Sequence, residues 1–151
     1  MPTFRSLLVP VDGSEPSDAA TDVAVTLAAD QKASIRFVNV VETDKVLASV
    51  MPGQGYADPA PAIDAMRTAG ADMLKTAVSK AQAAGVKAES KLLEGDCVSC
   101  IVADAQPANV DLIVIGSHGR GGLTRLVLGS VAEGVLRNCS VPMLIVKAPK
   151  T

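Results

Sequence analysis

From Gly116 to Glu133 the chain reads GSHGRGGLTRLVLGSVAE, a set of residue types suited to holding an anion. Gly116 closes an apolar run, where a backbone must turn sharply and can let a ligand approach. Gly119 comes after two residues, and Gly129-Ser130 stands at the start of the next helical stretch. Ser130 and Glu133 have the spacing of a capping box, which marks a helix N-terminus. Free backbone N–H groups at such a terminus, together with the helix dipole, attract negative charge. Arg120 and Arg125 add positive charge, and no acidic residue precedes Glu133 in the loop. The chemistry this favours is the cradling of a polyphosphate. The bland alternative, a tight turn with solvated arginines, leaves the coincidence of glycines, cap and charge unexplained.

Other phosphate-binding patterns are missing. The chain has no G-x-x-x-x-G-K-S/T, and no G-x-G-x-x-G after its first apolar run. That run ends instead in Val11-Asp12-Gly13-Ser14, with a carboxylate where a pyrophosphate would otherwise lie. His118 is the sole histidine; phosphate contact or plain exposure fits it better than catalysis, and one histidine without clustered carboxylates makes a zinc site improbable. Cys97-Val-Ser-Cys100 opens a helical stretch, where the dipole could lower a thiol pKa, although packing as a small apolar residue is the favoured role.

The elements that must position these residues come from hydrophobic period. Ser6 to Val11 reads as a buried strand, with Ser14 as N-cap of a helix carrying Ala20, Val23, Ala24, Leu27 and Ala28 on one face. Ser34 to Val41 is a second strand. Ile63 to Ala84 is a long alanine-rich helix stopped at Gly85. Val86 to Leu93 alternates and suits an edge strand, and Asp96 caps a short helix through Ala105. Asp111 to Ile115 suits a strand buried on both faces. A helix from about Ser130 to Asn138 precedes a last strand, Val141 to Val146. Five strands alternating with four helices imply a parallel sheet with helices on both faces. Met51 to Pro61, rich in proline and glycine, reads as a connection too short for a second domain, so residues 1–151 are expected to form a single domain.

Composition narrows the partners. A net charge of −2 lacks the broad basic face of a general nucleic-acid binder, and 2% aromatic content removes stacking platforms for single strands. No apolar run reaches the roughly 20 residues of a membrane span. The N-terminus meets Pro10 and Asp12 too early for a secretory signal, and three cysteines do not make a disulfide framework, so a cytoplasmic location is expected.

Gly116-x-x-Gly119-x9-Gly129-Ser130 resembles the ATP-binding signature of the universal stress protein family. Leu8-Val-Pro-Val-Asp-Gly-Ser14 is similar to that family's first strand and turn, and Val141-Pro-Met-Leu-Ile-Val-Lys147 to its last strand. The resemblance implies an α/β, Rossmann-like fold with an open five-stranded parallel sheet in the order 3-2-1-4-5. Ligands bind where such an order reverses, beyond the carboxyl ends of the strands. It further implies that Pro10, Val11 and Asp12 border an adenosine, that the backbone of Val40 reads adenine, and that Gly116 approaches the ribose. His118, Gly119, Arg120, Gly129, Ser130 and Val131 would surround the phosphates of ATP (or AMP or ADP), with Mg²⁺ carried by the phosphates. Asn39 stands where relatives often have histidine, with little expected consequence for binding.

The apolar last strand would be a bare sheet edge. Pairing of Val141 to Lys147 with a second copy, as the resemblance implies, would give a homodimer. Together these features read as an ATP-binding, nucleotide-dependent regulatory protein of the stress response. A slow ATPase or adenylyl-transferring enzyme is the alternative, but no S-G-G-x-D-S loop or HIGH-type motif is present. A scaffold that dimerises without ligand is a third reading, against which the intact loop speaks.

Overall fold

The structure is a computed structural model that describes residues 3–49, 58–107, 109–118 and 128–148. Five strands, β1 (Ser6–Pro10), β2 (Ser34–Val41), β3 (Ala88–Glu94), β4 (Leu112–Gly116) and β5 (Met143–Val146), form one sheet in the order β3-β2-β1-β4-β5. Every pairing is parallel, with Leu7 opposite both Ile35 and Leu112, and Ile113 opposite Met143. Parallel strands need crossovers, and here these are α1 (Glu15–Gln31), α2 (Thr43–Ala48) with α3 (Ala60–Ala83), α4 (Cys97–Asp104) and α5 (Ser130–Asn138).

The two-residue alternation of strand side chains divides the interior into two layers. Leu7, Val9, Leu112 and Val114 pack under α1 and α3, whereas Leu8, Val38, Ile113 and Ile115 pack under α4 and α5. Both β1 and β4 are therefore buried on both faces, which is why they read as unbroken apolar runs. On the α1 and α3 side, Ala20, Ala24, Ala28, Ala77 and Ala81 bring the helices close to the sheet. The sheet supplies the bulk there, including Phe37, which is fully buried. Each such large side chain contributes roughly 1.5–3 kcal/mol by leaving water.

Several element boundaries differ from the sequence reading, four of them in the crossovers and edge strands. The crossover after β2 holds an additional helix, α2, six residues long, too short for periodicity to register. Helix α3 begins at Ala60 rather than Ile63, because Pro61 lies in its first turn, where a missing N–H costs nothing. Strand β3 starts at Ala88 rather than Val86, and β5 at Met143 rather than Val141. Pro142 has no N–H for the ladder and instead accepts from Ile113 N at 2.9 Å, while Val141 turns into the core under α4 and α5. The helix stop at Gly85 stands, with φ of 77° and its N–H donating to Gln82 O. Of the proline- and glycine-rich connection, residues 50–57 lie outside the described residues.

Candidate functional site

The sheet order reverses between β1 and β4, so the chains leaving their carboxyl ends part to opposite faces and open a crevice. A cavity of about 510 Å³ lies there, within the usual range of roughly 300–1,000 Å³ for small-molecule sites.

One wall is the turn after β1. Gly13 takes φ of 82°, which swings Ser14 into position as N-cap of α1. The Ser14 hydroxyl accepts from Ser17 N at 3.3 Å, and Asp12 Oδ1 accepts from Ser14 N at 2.9 Å. The Asp12 backbone N–H donates to Ser17 Oγ at 3.1 Å. One carboxylate oxygen of Asp12 is thus fixed by the turn, and among the described residues Oδ2 has no hydrogen-bond partner. Asn39, buried in β2, donates from Nδ2 to Val11 O at 2.8 Å and ties the end of β1 to β2.

The opposite wall is built by the chain as it leaves β4. Gly116 lies so close to the first turn of α1 that a Cβ would come within 2.7 Å of the Pro16 carbonyl carbon. Gly129 donates to Ser117 O at 2.6 Å, and a Cβ on it would sit 2.9 Å from that oxygen and 3.0 Å from His118 Cα. Both glycines are thus required by packing of backbone against backbone. Gly129, not Ser130, is the N-cap of α5, which corrects the capping-box reading. Ser130 is the first helical residue, and Glu133 pairs with Arg137 at 2.7 Å instead of reaching back. The consequence for the cavity is favourable. No side chain caps the helix, so the amides of Ser130, Val131 and Ala132 keep their donors without an acceptor among the described residues.

His118 has Nδ1 3.1 Å from Ser117 Oγ, and its carbonyl accepts from Ser14 Oγ at 3.5 Å, linking the two walls. Cys97 lines the cavity too. Burial, then the charge of Glu42, pushes its thiol up to about 12, and burial raises the Cys100 thiol as well. Desolvation outweighs any lowering that the helix start could bring, in keeping with the favoured reading of these cysteines as packing residues. All three cysteines are free thiols.

Of the residues singled out from sequence, Pro10, Val11, Asp12, Val40, Gly116, His118, Gly129, Ser130 and Val131 all border this one cavity. Gly119, Arg120 and Arg125 lie outside the described residues. Sequence reasoning missed Glu42 just after β2, Lys45 of α2, Met66 and Met73 of α3, and the place of Cys97 in the cavity lining. Met66 and Met73 are spaced to share one helix face, but period alone does not say what that face meets. Among the described residues no cluster of three metal-ligating side chains occurs, and no helix is long and apolar enough to cross a membrane.

Comparison with known proteins agrees with this architecture. The universal stress protein YxiE of Bacillus subtilis is 36% identical over 148 residues, covering 95% of this chain and 99% of its own. The universal stress protein MJ0531 of Methanocaldococcus jannaschii is 33% identical over 147 residues, covering 97% and 84%. Among solved structures, hypothetical protein MJ0577 superposes with a TM-score of 0.84 at 21% identity, covering 99% of this chain and 100% of that one. A universal stress protein solved in complex with cAMP superposes with a TM-score of 0.67 at 26% identity, covering 98% and 100%. The universal stress protein family model matches residues 3–147. With sheet order, crevice and sequence in agreement, the chain belongs to the universal stress protein family.

Proposed function

We propose that this chain, residues 1–151 acting as one domain, is a nucleotide-dependent regulatory protein of the stress response that binds ATP, or AMP or ADP, in the cavity between β1 and β4. The observation that carries the reading is the uncapped first turn of α5. Ser130, Val131 and Ala132, whose amides have no acceptor among the described residues, line a cavity whose other wall includes Asp12, one carboxylate oxygen of which has no partner among the described residues. An anionic tail suits the amides and the dipole, and a ribose hydroxyl suits the carboxylate. The apolar remainder, including Val40, Met66 and Met73, suits a flat base. The cAMP complex of a relative supports an adenine nucleotide. Mg²⁺ would be carried by the phosphates, and Arg120 would add charge to them. The protein works as a cytoplasmic homodimer joined through Val141 to Lys147, with bound nucleotide biasing which partners it meets.

Calorimetric titration with ATP, ADP and AMP tests this. A Gly129→Glu variant would confuse binding with folding, since any side chain there strikes Ser117 and His118. Ser130→Glu is cleaner: Ser130 is exposed, and a carboxylate in the first turn favours the helix while occupying the anion site. Wild-type protein should bind, and Ser130→Glu should lose at least about tenfold in affinity, roughly 1.4 kcal/mol, without losing melting temperature. Undiminished affinity in Ser130→Glu refutes the cradle. Phosphate release in the same samples distinguishes a slow ATPase from a receptor.

A further inference from the structure

Met66 and Met73 both belong to the wall that α3 gives the cavity, and two further features distinguish Met73. It also lines a second cavity, of about 280 Å³, between α1 and α3 beside Thr21, Thr76 and Lys80. With Val11, which the two linings share, Met73 stands as the partition between them. Its sulfur accepts from Asn39 Nδ2 at 3.8 Å, a long bond to a weak acceptor. A side-chain amide carries two N–H groups, and Asn39 Nδ2 also donates to Val11 O at 2.8 Å. The amide has little space to withdraw, because the backbone of Gly70 stands against it: a Cβ there would strike Asn39 Oδ1. Met73 is thus a half-buried thioether between two cavities, held against an N–H donor that stays in place.

Resting on the nucleotide reading above, we propose that Met73 is a site of reversible oxidation, at which a peroxide makes the apolar wall polar and loosens bound nucleotide. The sulfur lone pair attacks one oxygen of hydrogen peroxide. The S–O bond forms as the O–O bond breaks, and the other oxygen takes the remaining proton and leaves as water. Sulfur loses two electrons and the peroxide gains them. A sulfoxide oxygen is a stronger acceptor than a thioether, and an N–H of Asn39 is already directed at the sulfur that carries it. The oxidised side chain is therefore satisfied within the fold, and the tie from Asn39 to Val11 stays intact. The cavity wall changes all the same. A flexible apolar side chain becomes polar where a flat base would pack, and its sulfur–aromatic contact is lost. Peroxide reaches Met73 from the α1–α3 side, so nucleotide in place shields Met66 but not Met73.

The test exposes wild-type protein and Met73→Leu to hydrogen peroxide in the presence of saturating ATP. Dithiothreitol then reverses disulfides and sulfenic acids but leaves sulfoxides, and both reagents and nucleotide are removed. Peptide mass spectrometry locates the added oxygen, circular dichroism checks the fold, and calorimetry gives the affinity for ATP. Met73 should carry one oxygen while Met66 is protected. Treated wild-type protein should keep its spectrum, bind ATP about fivefold more weakly than untreated protein, and recover on incubation with a methionine sulfoxide reductase. Met73→Leu is compared only with itself: treated and untreated samples should agree within about twofold. An affinity unmoved by a sulfoxide at Met73 overturns the inference, and so do protection of Met73 by ATP, loss of fold on oxidation, and the same weakening in Met73→Leu. Failure of untreated wild-type protein to bind ATP refutes the nucleotide reading itself and the inference with it.

Discussion

At the scale of single residues, Asn39 and Cys97 show how the surroundings of the cavity override a residue's generic chemistry. The Asn39 amide reads as a neutral replacement in the sequence, yet in the fold it anchors the Val11 carbonyl from inside the protein. Asn39→Leu should leave that carbonyl without its partner and cost about 1–3 kcal/mol, measured by urea unfolding. An unchanged midpoint would mean water satisfies the carbonyl equally well. At Cys97 burial outweighs the lowering that a helix start could bring. Its pKa rises from 9.0 to about 12 on folding, so between those values the folded state holds the proton that the unfolded chain has released. The associated stability is whole below pH 9.0 and declines as pH climbs toward about 12. Alkylation followed by mass spectrometry should find Cys97 modified far more slowly than a free thiol at about pH 8, accelerating steeply in alkali. Rapid labelling at that pH would contradict the assignment.

Among elements, α4 and α5 pack closely at Gly134. A Cβ built on Gly134 would stand 2.7 Å from Val98 Cγ2, a side-chain atom that cannot leave without opening the layer under both helices. Alanine is favoured over glycine in a helix by about 1 kcal/mol, so the clash alone decides the outcome. Gly134→Ala should destabilise the wild type by about 1–3 kcal/mol and become stabilising once Val98→Ala has made room, a reversal that thermal unfolding of the four proteins would display. Additive effects would show that the helices simply move apart. This is also the scale at which sequence was most informative. Apolar runs of β1 and β4, the Ser14 cap and the Gly85 stop were all legible, because each is written in a few adjacent residues. The features that escaped notice depend on distant partners. Helix α2 is too short to show a period, Gly129 rather than Ser130 caps α5 because Ser117 lies beside it, and Met66 faces a cavity only because α3 crosses the end of β2. Local motifs together with the family resemblance marked nine cavity residues, from Pro10 to Val131, but they could not name the wall that α3 supplies.

For the whole molecule, ligand and assembly are the quantities to measure. A nucleotide that binds only the folded chain should raise its melting temperature, by the equivalent of about 2.7 kcal/mol at a hundredfold excess over Kd, and the rise should vanish in Ser130→Glu. Pairing through β5 should give a dimer by sedimentation at micromolar concentration, and Leu144→Lys, at an exposed position on that strand, should shift the population to monomer. A wild-type monomer would refute the pairing. The opposite border of the sheet bears on where such association ends. Strand β3 turns Glu89, Ser90 and Lys91 to solvent, and Glu89 is already engaged by Arg36. Were β5 to pair with its own copy, each molecule would use the same border in that one encounter, so crowding the solution should fill it with pairs and not with fibres.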